Sequence, residues 1–257
     1  MKVVLFAGGL GTRISEESHL RPKPMIEIGG KPILWHIMKM YAHHGFNEFI
    51  VCCGYKASII KGYFANYFAL NSDCTIDLST NSVEVHTTHK ENLKVTLIDT
   101  GVDTMTAGRL RQVLPYTNNE TFMLTYGDGV CDVDLNALLD FHNAHGKICT
   151  MTTVQPTSRF GVVGMQDDGT VTSFEEKPAD SGTWINGGFF VVNKDIAKYL
   201  HDDANDVMWE RQPMYDLARD SQIVGYKHRG FWKCMDTMRD KEELEHMWLN
   251  NPAWKKW

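Results

Sequence analysis

The sequence predicts an α/β fold: a mixed, mostly parallel sheet flanked by helices, with an inserted antiparallel β-ribbon. Three observations predict it. The first seventy residues alternate apolar, strand-like runs with helical repeats, which is the pattern of parallel βαβ units. One apolar run, Val3–Ala7, passes directly into a loop with glycines at 8, 9 and 11. A second, Thr121–Tyr126, stops abruptly at Gly127-Asp128-Gly129, and open α/β sheets place ligand groups at such carboxyl ends.

Taken in order, Val3-Val4-Leu5-Phe6-Ala7 reads as a short buried strand. Glu27–Lys31 is a turn, and Pro32 suits the first turn of a helix carrying Ile33, Leu34, Ile37, Met38, Met40 and Tyr41 and closing near Gly45. Glu48–Cys53 (EFIVCC) is a strand whose alternation sends Cys52 and Cys53 to opposite faces. Ile59, Ile60, Tyr63, Phe64, Tyr67 and Phe68 recur at helical spacing and predict one amphipathic helix. From Asp73 to Asp99 the period changes to two, in Val83-Glu84-Val85 and Val95-Thr96-Leu97-Ile98, and the whole stretch reads as ribbon. Its exposed edge makes it an expected subunit contact. Thr100–Gly108 is a polar loop before a short helix with Arg109, Leu110, Val113 and Leu114. Asp134 is placed to cap a helix bearing Leu135, Leu138 and Leu139, closed by Gly146. Later strands read as Cys149–Val154, Gly161–Met165, Val171–Phe174 and Ile185–Val192, some of them antiparallel. A last helix begins near Thr237, with Asp240 as its capping acid. No repeat, low-complexity tract or Pro/Ser-rich linker divides the chain, so 1–257 reads as one domain with the ribbon at about 73–99.

Composition narrows the function. With 43% apolar and 23% charged residues, the chain is ordinary for a globular protein that buries a core. A net charge of −6 excludes a surface that coats nucleic acid, so any anion site must be local. The opening reads as lacking a signal peptide, and no run approaches a membrane span. The six cysteines form no C-x-x-C and no zinc spacing, and they read as reduced thiols. Cytoplasm is the expected compartment, with neither nucleic acid nor membrane as partner.

The stretch Phe6–Met25, FAGGLGTRISEESHLRPKPM, carries the chemistry. A glycine-rich loop lets backbone N–H groups approach an anion without Cβ atoms in the way. Arg13 adds a fixed cation, and Lys23 sits between Pro22 and Pro24, whose rings restrict the backbone around it. Together these suit a polyphosphate. The loop is not a Walker A motif, and Ile14 stands where a dinucleotide fingerprint needs Gly or Ala.

Phe6–Arg13 with Arg21–Met25 resembles the signature of the sugar-1-phosphate nucleotidyltransferases. Tyr126-Gly127-Asp128-Gly129, Phe174–Pro178 (FEEKP), Ile185–Phe189 (INGGF) and Trp232–Thr237 (WKCMDT) are similar to further motifs of that family, in its order and at its spacing. The resemblance implies a Rossmann-like sheet of the nucleotide-diphospho-sugar transferase type. It also implies attack of a sugar phosphate on the α-phosphorus of a nucleoside triphosphate, assisted by Mg²⁺, with pyrophosphate leaving. Such a nucleophile is already anionic, so no catalytic base is required, and catalysis is positioning plus electrostatic stabilisation.

Roles follow from the resemblance. Phe6, Ala7, Gly8, Gly9, Leu10, Gly11 and Thr12 would wrap the triphosphate, and Arg13 would neutralise the phosphates that depart. Lys23 would act at the α-phosphate. Asp128, beside Gly127, and Asp236 would converge on one Mg²⁺. Lys177 would hold the sugar phosphate; Glu176, Asn186, Gly187 and Tyr126 would shape the sugar pocket. Thr104, Gly108 and Arg109 would read the base or its ribose. Lys31–Met40 (KPILWHIMKM), Ala65-Asn66-Tyr67-Phe68, Asp140–Gly146 (DFHNAHG) and the ending Pro252–Trp257 (PAWKKW) favour members using CTP and glucose 1-phosphate, and imply a homohexamer that serves bacterial surface polysaccharide. UTP, dTTP or another sugar phosphate stays open from the residues alone, since cytosine and uracil differ by the groups at C4. A non-catalytic binding module is the rival from another class. It predicts loss of the charges needed for turnover, whereas Arg13, Lys23, Asp128, Lys177 and Asp236 are all present.

Overall fold

Alternation along the first strand already builds two layers. In the computed structural model, which describes residues 1–86, 90–155, 162–175, 183–201 and 204–257, β1 (Lys2–Ala7) sends Val3, Leu5 and Ala7 into the apolar cluster on one face of the sheet. Val4 and Phe6 enter the cluster on the other face. The glycine loop and the short α1 (Ser15–Ser18) follow. Then β2 (Glu27–Ile28) and β3 (Lys31–Pro32) pair across a tight turn, and Pro32 stands immediately before α2 (Ile33–His43). β4 (Glu48–Cys53) repeats the alternation, with Cys52 in one cluster and Cys53 in the other.

The apolar repeat at 59–68 does not make one helix. It divides into α3 (Ala57–Ala65) and α4 (Tyr67–Asn71) at Asn66, whose φ/ψ of −102°/16° leaves the helical region. The Asn66 side chain donates back to Gly62 O at 2.9 Å, the kind of local side-chain bond that competes with helix continuation. The expected ribbon also contracts. β5 (Cys74–Asp77) and β6 (Ser82–Val85) form an antiparallel hairpin, but β7 (Lys94–Asp99) leaves it for the main sheet, parallel to β4 from Glu48↔Lys94 to Cys53↔Asp99. Period two is satisfied equally by a ribbon and by a sheet edge covered on one face, so the pattern could not separate them.

α5 (Thr106–Val113) starts earlier than read and includes Gly108. After β8 (Phe122–Tyr126) and β9 (Gly129–Cys131), α6 (Leu135–His145) is capped by the Asp134 carboxylate, which accepts from the backbone of Asn136 and Ala137 at 3.0 Å. Gly146, at φ 63°, closes it. β10 (Cys149–Val154) is followed by a separate hairpin of β11 (Val162–Met165) and β12 (Val171–Glu175), then β13 (Ile185–Val192). The chain ends with α7 (Gln212–Arg219), β14 (Ile223–His228), β15 (Trp232–Cys234) and α8 (Met238–Asn250). Thr237, not Asp236, caps α8, in a capping box with Asp240. α7, β9, β14 and β15 are elements the sequence pattern did not announce.

The main sheet has the order β14-β10-β13-β8-β1-β4-β7. β1, β4, β7 and β8 are mutually parallel, β10 and β14 pair parallel, and β13 runs antiparallel to both of its neighbours. All six cysteines are free thiols. No helix among the described residues is long and apolar enough to cross a membrane. His36 of α2 is fully buried beside its neighbour Trp35 and beside Trp248, Trp254 and Trp257, the last three tying the carboxyl-terminal segment to α2.

Candidate active site

Strand direction determines which segments meet. The loops after β1, β4, β7 and β8 emerge on one edge because these strands are parallel. β13 points the other way, so its beginning, at Asn186 and Gly187, reaches that same edge. A bulge strengthens the effect. The β10–β13 register shifts between Met151 and Thr153, and Gly188 (φ 75°) and Phe189 (φ 46°) both take left-handed backbone. Such a conformation is strained for phenylalanine, and bulges of this kind re-aim neighbouring side chains at functional sites.

The glycine loop is held from behind. A Cβ on Gly8 would lie 2.1 Å from Arg109 Nη1, so only glycine admits that guanidinium. Gly11 turns the chain at φ 66° into the single 3-10 turn Thr12–Ile14. Arg109 is 3% exposed. Its Nη1 donates to Thr100 Oγ1 (2.6 Å), Gly101 O (2.7 Å) and Cys53 O (3.3 Å), and its Nη2 to Gly8 O (3.0 Å) and Val102 O (3.1 Å). The terminal nitrogens of Arg109 thereby hold the chain at the carboxyl ends of β1, β4 and β7, at the edge of the cleft where a contact to a base or ribose is expected of it. Gly108 faces Asn205, whose Cα would lie 2.5 Å from an added Cβ, so glycine is what lets α5 approach that segment so closely.

The charged centre is assembled by a two-stranded ladder. β9 and β15 pair antiparallel with Gly129 opposite Cys234, and Met235 N donates to Asp128 O at 2.9 Å. Asp128 and Asp236, 108 residues apart in sequence, are thereby brought to one point. The Lys23 ammonium lies between them, 2.6 Å from Asp128 Oδ2 and 2.6 Å from Asp236 Oδ1. Arg13, largely exposed, reaches Asp236 Oδ2 at 3.0 Å. Burial by itself lowers the pKa of Lys23, but the charges and hydrogen bonds of Asp128 and Asp236 outweigh it and the net shift is upward. For Asp236, burial raises the pKa, and the hydrogen bond and charge of Lys23, with the charge of Arg13, outweigh it and hold the carboxyl below its ordinary range. Two convergent carboxylates that already share one cation form an oxygen donor set suited to a hard divalent ion.

Beside this centre opens a cleft of about 670 Å³. Phe6, Gly8, Gly9, Arg13, Thr104, Arg109, Tyr126, Asp128, Asn186, Gly187 and Asp236 of the expected set line it. Asn186 Nδ2 donates to the Tyr126 hydroxyl at 3.2 Å, and Trp232 Nε1 donates to Gly187 O at 2.7 Å. The Tyr126 phenol is pushed far above its ordinary pKa, first by burial and then by the Glu210 carboxylate. Ala7 and Phe6 are buried, so what they offer a nucleotide is backbone; Leu10 is exposed beside the loop. Gly127 N donates to Phe6 O at 2.9 Å, joining the ends of β1 and β8. Glu176 and Lys177 lie outside the described residues. Met105, Thr106, Thr125, Met208, Glu210 and Cys234 line the cleft without having been foreseen. Cys234 and Trp232 stood in a quoted motif; Glu210 lay in no motif at all. The Cys234 thiol is pushed up to about 12, chiefly by burial and then by Asp236. Behind the ladder, Cys131, Asp132 and His228 bring their ligand atoms within 4.8 Å of one another, with His228 Nε2 and Asp132 Oδ1 already paired at 3.0 Å.

Comparison with known proteins converges on one family. The nucleotidyl transferase family model matches residues 2–233. The chain is 52% identical over 259 residues to a glucose-1-phosphate cytidylyltransferase of Salmonella typhi, covering 100% of both sequences. It is 28% identical to a UTP–glucose-1-phosphate uridylyltransferase of Synechocystis, over 78% of this chain and 51% of that protein. Among solved structures, HddC from Yersinia pseudotuberculosis superimposes with a TM-score of 0.68 at 22% identity, over 96% of this chain and 99% of that one, a likeness of fold.

Proposed function

The chain belongs to the nucleotidyl transferase family, and from that premise we infer how its residues carry the reaction. It is a nucleotidyltransferase that joins CTP to glucose 1-phosphate, giving CDP-glucose and pyrophosphate. Base and sugar follow from the full-length likeness to the Salmonella typhi cytidylyltransferase. The observation that carries the chemistry is the convergence of Lys23, Asp128 and Asp236 beside the Gly8–Arg13 loop.

The reaction brings two polyanions together and accumulates charge on the departing pyrophosphate, so the chain's work is neutralisation and alignment. Backbone donors of Gly8, Gly9 and Gly11 cradle the triphosphate, and Arg13 leaves Asp236 to meet the phosphates that depart. Lys23, protonated and held by two carboxylates, offers its remaining donor capacity to the α-phosphate as charge builds there. Asp128 and Asp236 would hold the divalent metal that enzymes of this family generally use, with Mg²⁺ the proposed ion, which would supply further positive charge at the site. Lys177 and Glu176 are assigned to the sugar phosphate and sugar hydroxyls, Asn186, Gly187 and Tyr126 to the sugar wall, and Thr104 to the nucleoside side. A cytoplasmic homohexamer whose product supports surface polysaccharide completes the reading.

The test is a panel of CTP, UTP, dTTP and GTP against several sugar 1-phosphates with Mg²⁺, followed by pyrophosphate release. CTP with glucose 1-phosphate should give the highest kcat/KM. Preference for another pair would replace the substrates, and absence of pyrophosphate from every pair would defeat the enzyme reading.

A further inference from the structure

Glu210 is a carboxylate in a cleft built for two anionic substrates, in a stretch of sequence that carries no motif. Each ordered contact it makes is with a donor. Thr106 Oγ1 donates to Glu210 Oε2 at 2.9 Å, and Thr106 Oγ1 itself accepts from Trp209 N at 2.7 Å, which commits its proton to the carboxylate. From the other side the Tyr126 hydroxyl lies near enough to the Glu210 carboxylate for that charge to raise its pKa. That hydroxyl accepts from Asn186 Nδ2 at 3.2 Å, and Asn186 Oδ1 accepts from Gly188 N at 2.9 Å. One donor from α5 therefore ends on the carboxylate, and Tyr126, held by Asn186 at the bulge of β13, stands beside it. No Lys, Arg or His of the described residues lies within ion-pairing distance of it.

A carboxylate offers about four lone-pair positions and no donor. Thr106 occupies one, and Glu210 lines the cleft, so acceptor positions remain for a ligand there. Phosphate is excluded there by charge, which leaves ligand groups that donate. Position selects among them. The triphosphate loop follows β1, whereas Tyr126 ends β8 and Asn186 begins β13, on the other side of β1 from β4. That is the side to which the sugar wall of Asn186, Gly187 and Tyr126 is assigned.

We infer that Glu210 is a specificity-determining residue that accepts hydrogen bonds from hydroxyl groups of the hexosyl ring of the sugar phosphate, with Thr106, Tyr126 and Asn186 fixing its orientation. The inference rests on the sugar-1-phosphate reading of the site and deepens it. It also explains why a carboxylate rather than an amide stands there: an amide would turn its donor toward the sugar hydroxyls or toward Thr106, and the bond accepted there would be lost.

The experiment compares wild-type protein, Glu210→Gln and Glu210→Asp, with CTP, glucose 1-phosphate and a series of deoxyglucose 1-phosphates each lacking one hydroxyl. Turnover of the wild type with glucose 1-phosphate is the first reading, and its absence would defeat the proposed function rather than this assignment. With turnover established, Glu210→Gln should lower kcat/KM for glucose 1-phosphate by roughly 10- to 100-fold, the range for a hydrogen bond to a charged group, while the KM for CTP stays within about threefold. For the deoxy sugar lacking the contacted hydroxyl, wild type and variant should become nearly equal, and Glu210→Asp should recover part of the loss on the intact sugar. An equal penalty on every sugar phosphate would make Glu210 a structural support for Tyr126 and overturn the assignment. A rise confined to the KM for CTP, or a gain in UTP use, would move Glu210 to the base and overturn it as well. If neither variant folds, the deoxy series on the wild type still decides: penalties under about twofold at every hydroxyl would refute it.

Discussion

Replacing Arg109 by alanine separates two roles that the sequence could not distinguish. Among the described residues no carboxylate lies within ion-pairing distance of the buried guanidinium, which holds four backbone carbonyls and one hydroxyl at the carboxyl ends of β1, β4 and β7. Its pKa is lowered, first by burial, which measures the cost of keeping the charge there. Individually, hydrogen bonds to a charged group contribute about 1.5–3 kcal/mol, but truncation also relieves the desolvation of the cation and admits water, so the sum is not additive. A net loss of about 3–5 kcal/mol is the expectation for breaking such a buried network. In a chain of this size that lowers Tm by about 10 °C, at about 2–4 °C per kcal/mol. Calorimetric unfolding reads the loss, and steady-state kinetics at 20 °C reads the site. Arg109→Lys, with one ammonium in place of the fork, should fall between wild type and alanine. If Tm is unchanged while the KM for CTP rises by an order of magnitude, Arg109 contacts the nucleotide and its assignment as a scaffold residue is wrong.

Two further predictions concern charge. Lys23→Ala should lower kcat by about 10²–10³-fold, the range for removing one electrostatic stabiliser of the transition state, with the KM for CTP changed by no more than about threefold. Comparable losses in binding and turnover would make Lys23 a binding group. His36 should titrate near 4 instead of 6.5, chiefly because burial disfavours its charged form. Its Nε2–H donates to Ile28 O at 2.8 Å and its Nδ1 accepts from Trp254 Nε1 at 3.4 Å, so the neutral ring is satisfied on both sides. Between these two pH values the unfolded chain holds a proton that the folded one lacks. The contribution is therefore intact above pH 6.5 and falls by about 3 kcal/mol as the pH drops toward 4. NMR titration of the imidazole carbons measures it directly, and an inflection near 6.5 would refute the burial argument.

Much of the site was legible because its chemistry is local. A strand running into Gly8-Gly9, with Arg13 and Lys23 close behind, announces an anion site within twenty residues. Asp128 after an apolar strand has a position that parallel sheets use for ligands. The misreadings have a common cause. β7 carries the same alternation whether it pairs in a ribbon or at the edge of the main sheet, and Asn66 breaks a repeat whose period says nothing about its continuity. Arg109 is a separate case: that its guanidinium clamps the ends of three strands depends on neighbours far along the chain, which no local pattern shows. Glu210 gave no signal, because its meaning depends on Thr106 and Tyr126, which lie about a hundred residues earlier.

The sequence alone determined the strand–loop grammar of the nucleotide end, the faces of Cys52 and Cys53, the capped helix after Asp134 and the set of charges that phosphate chemistry requires. Those features arise within one turn, one strand or one loop, where backbone geometry and burial period act directly on neighbouring residues. Tertiary structure decided what pairs across distance. The β9–β15 ladder set Asp236 beside Asp128 around Lys23, the reversed β13 carried Asn186 to the shared edge, and the buried fork of Arg109 tied three loops into one floor. Strand register between segments a hundred residues apart depends on the packing of the entire sheet, and no local pattern records it.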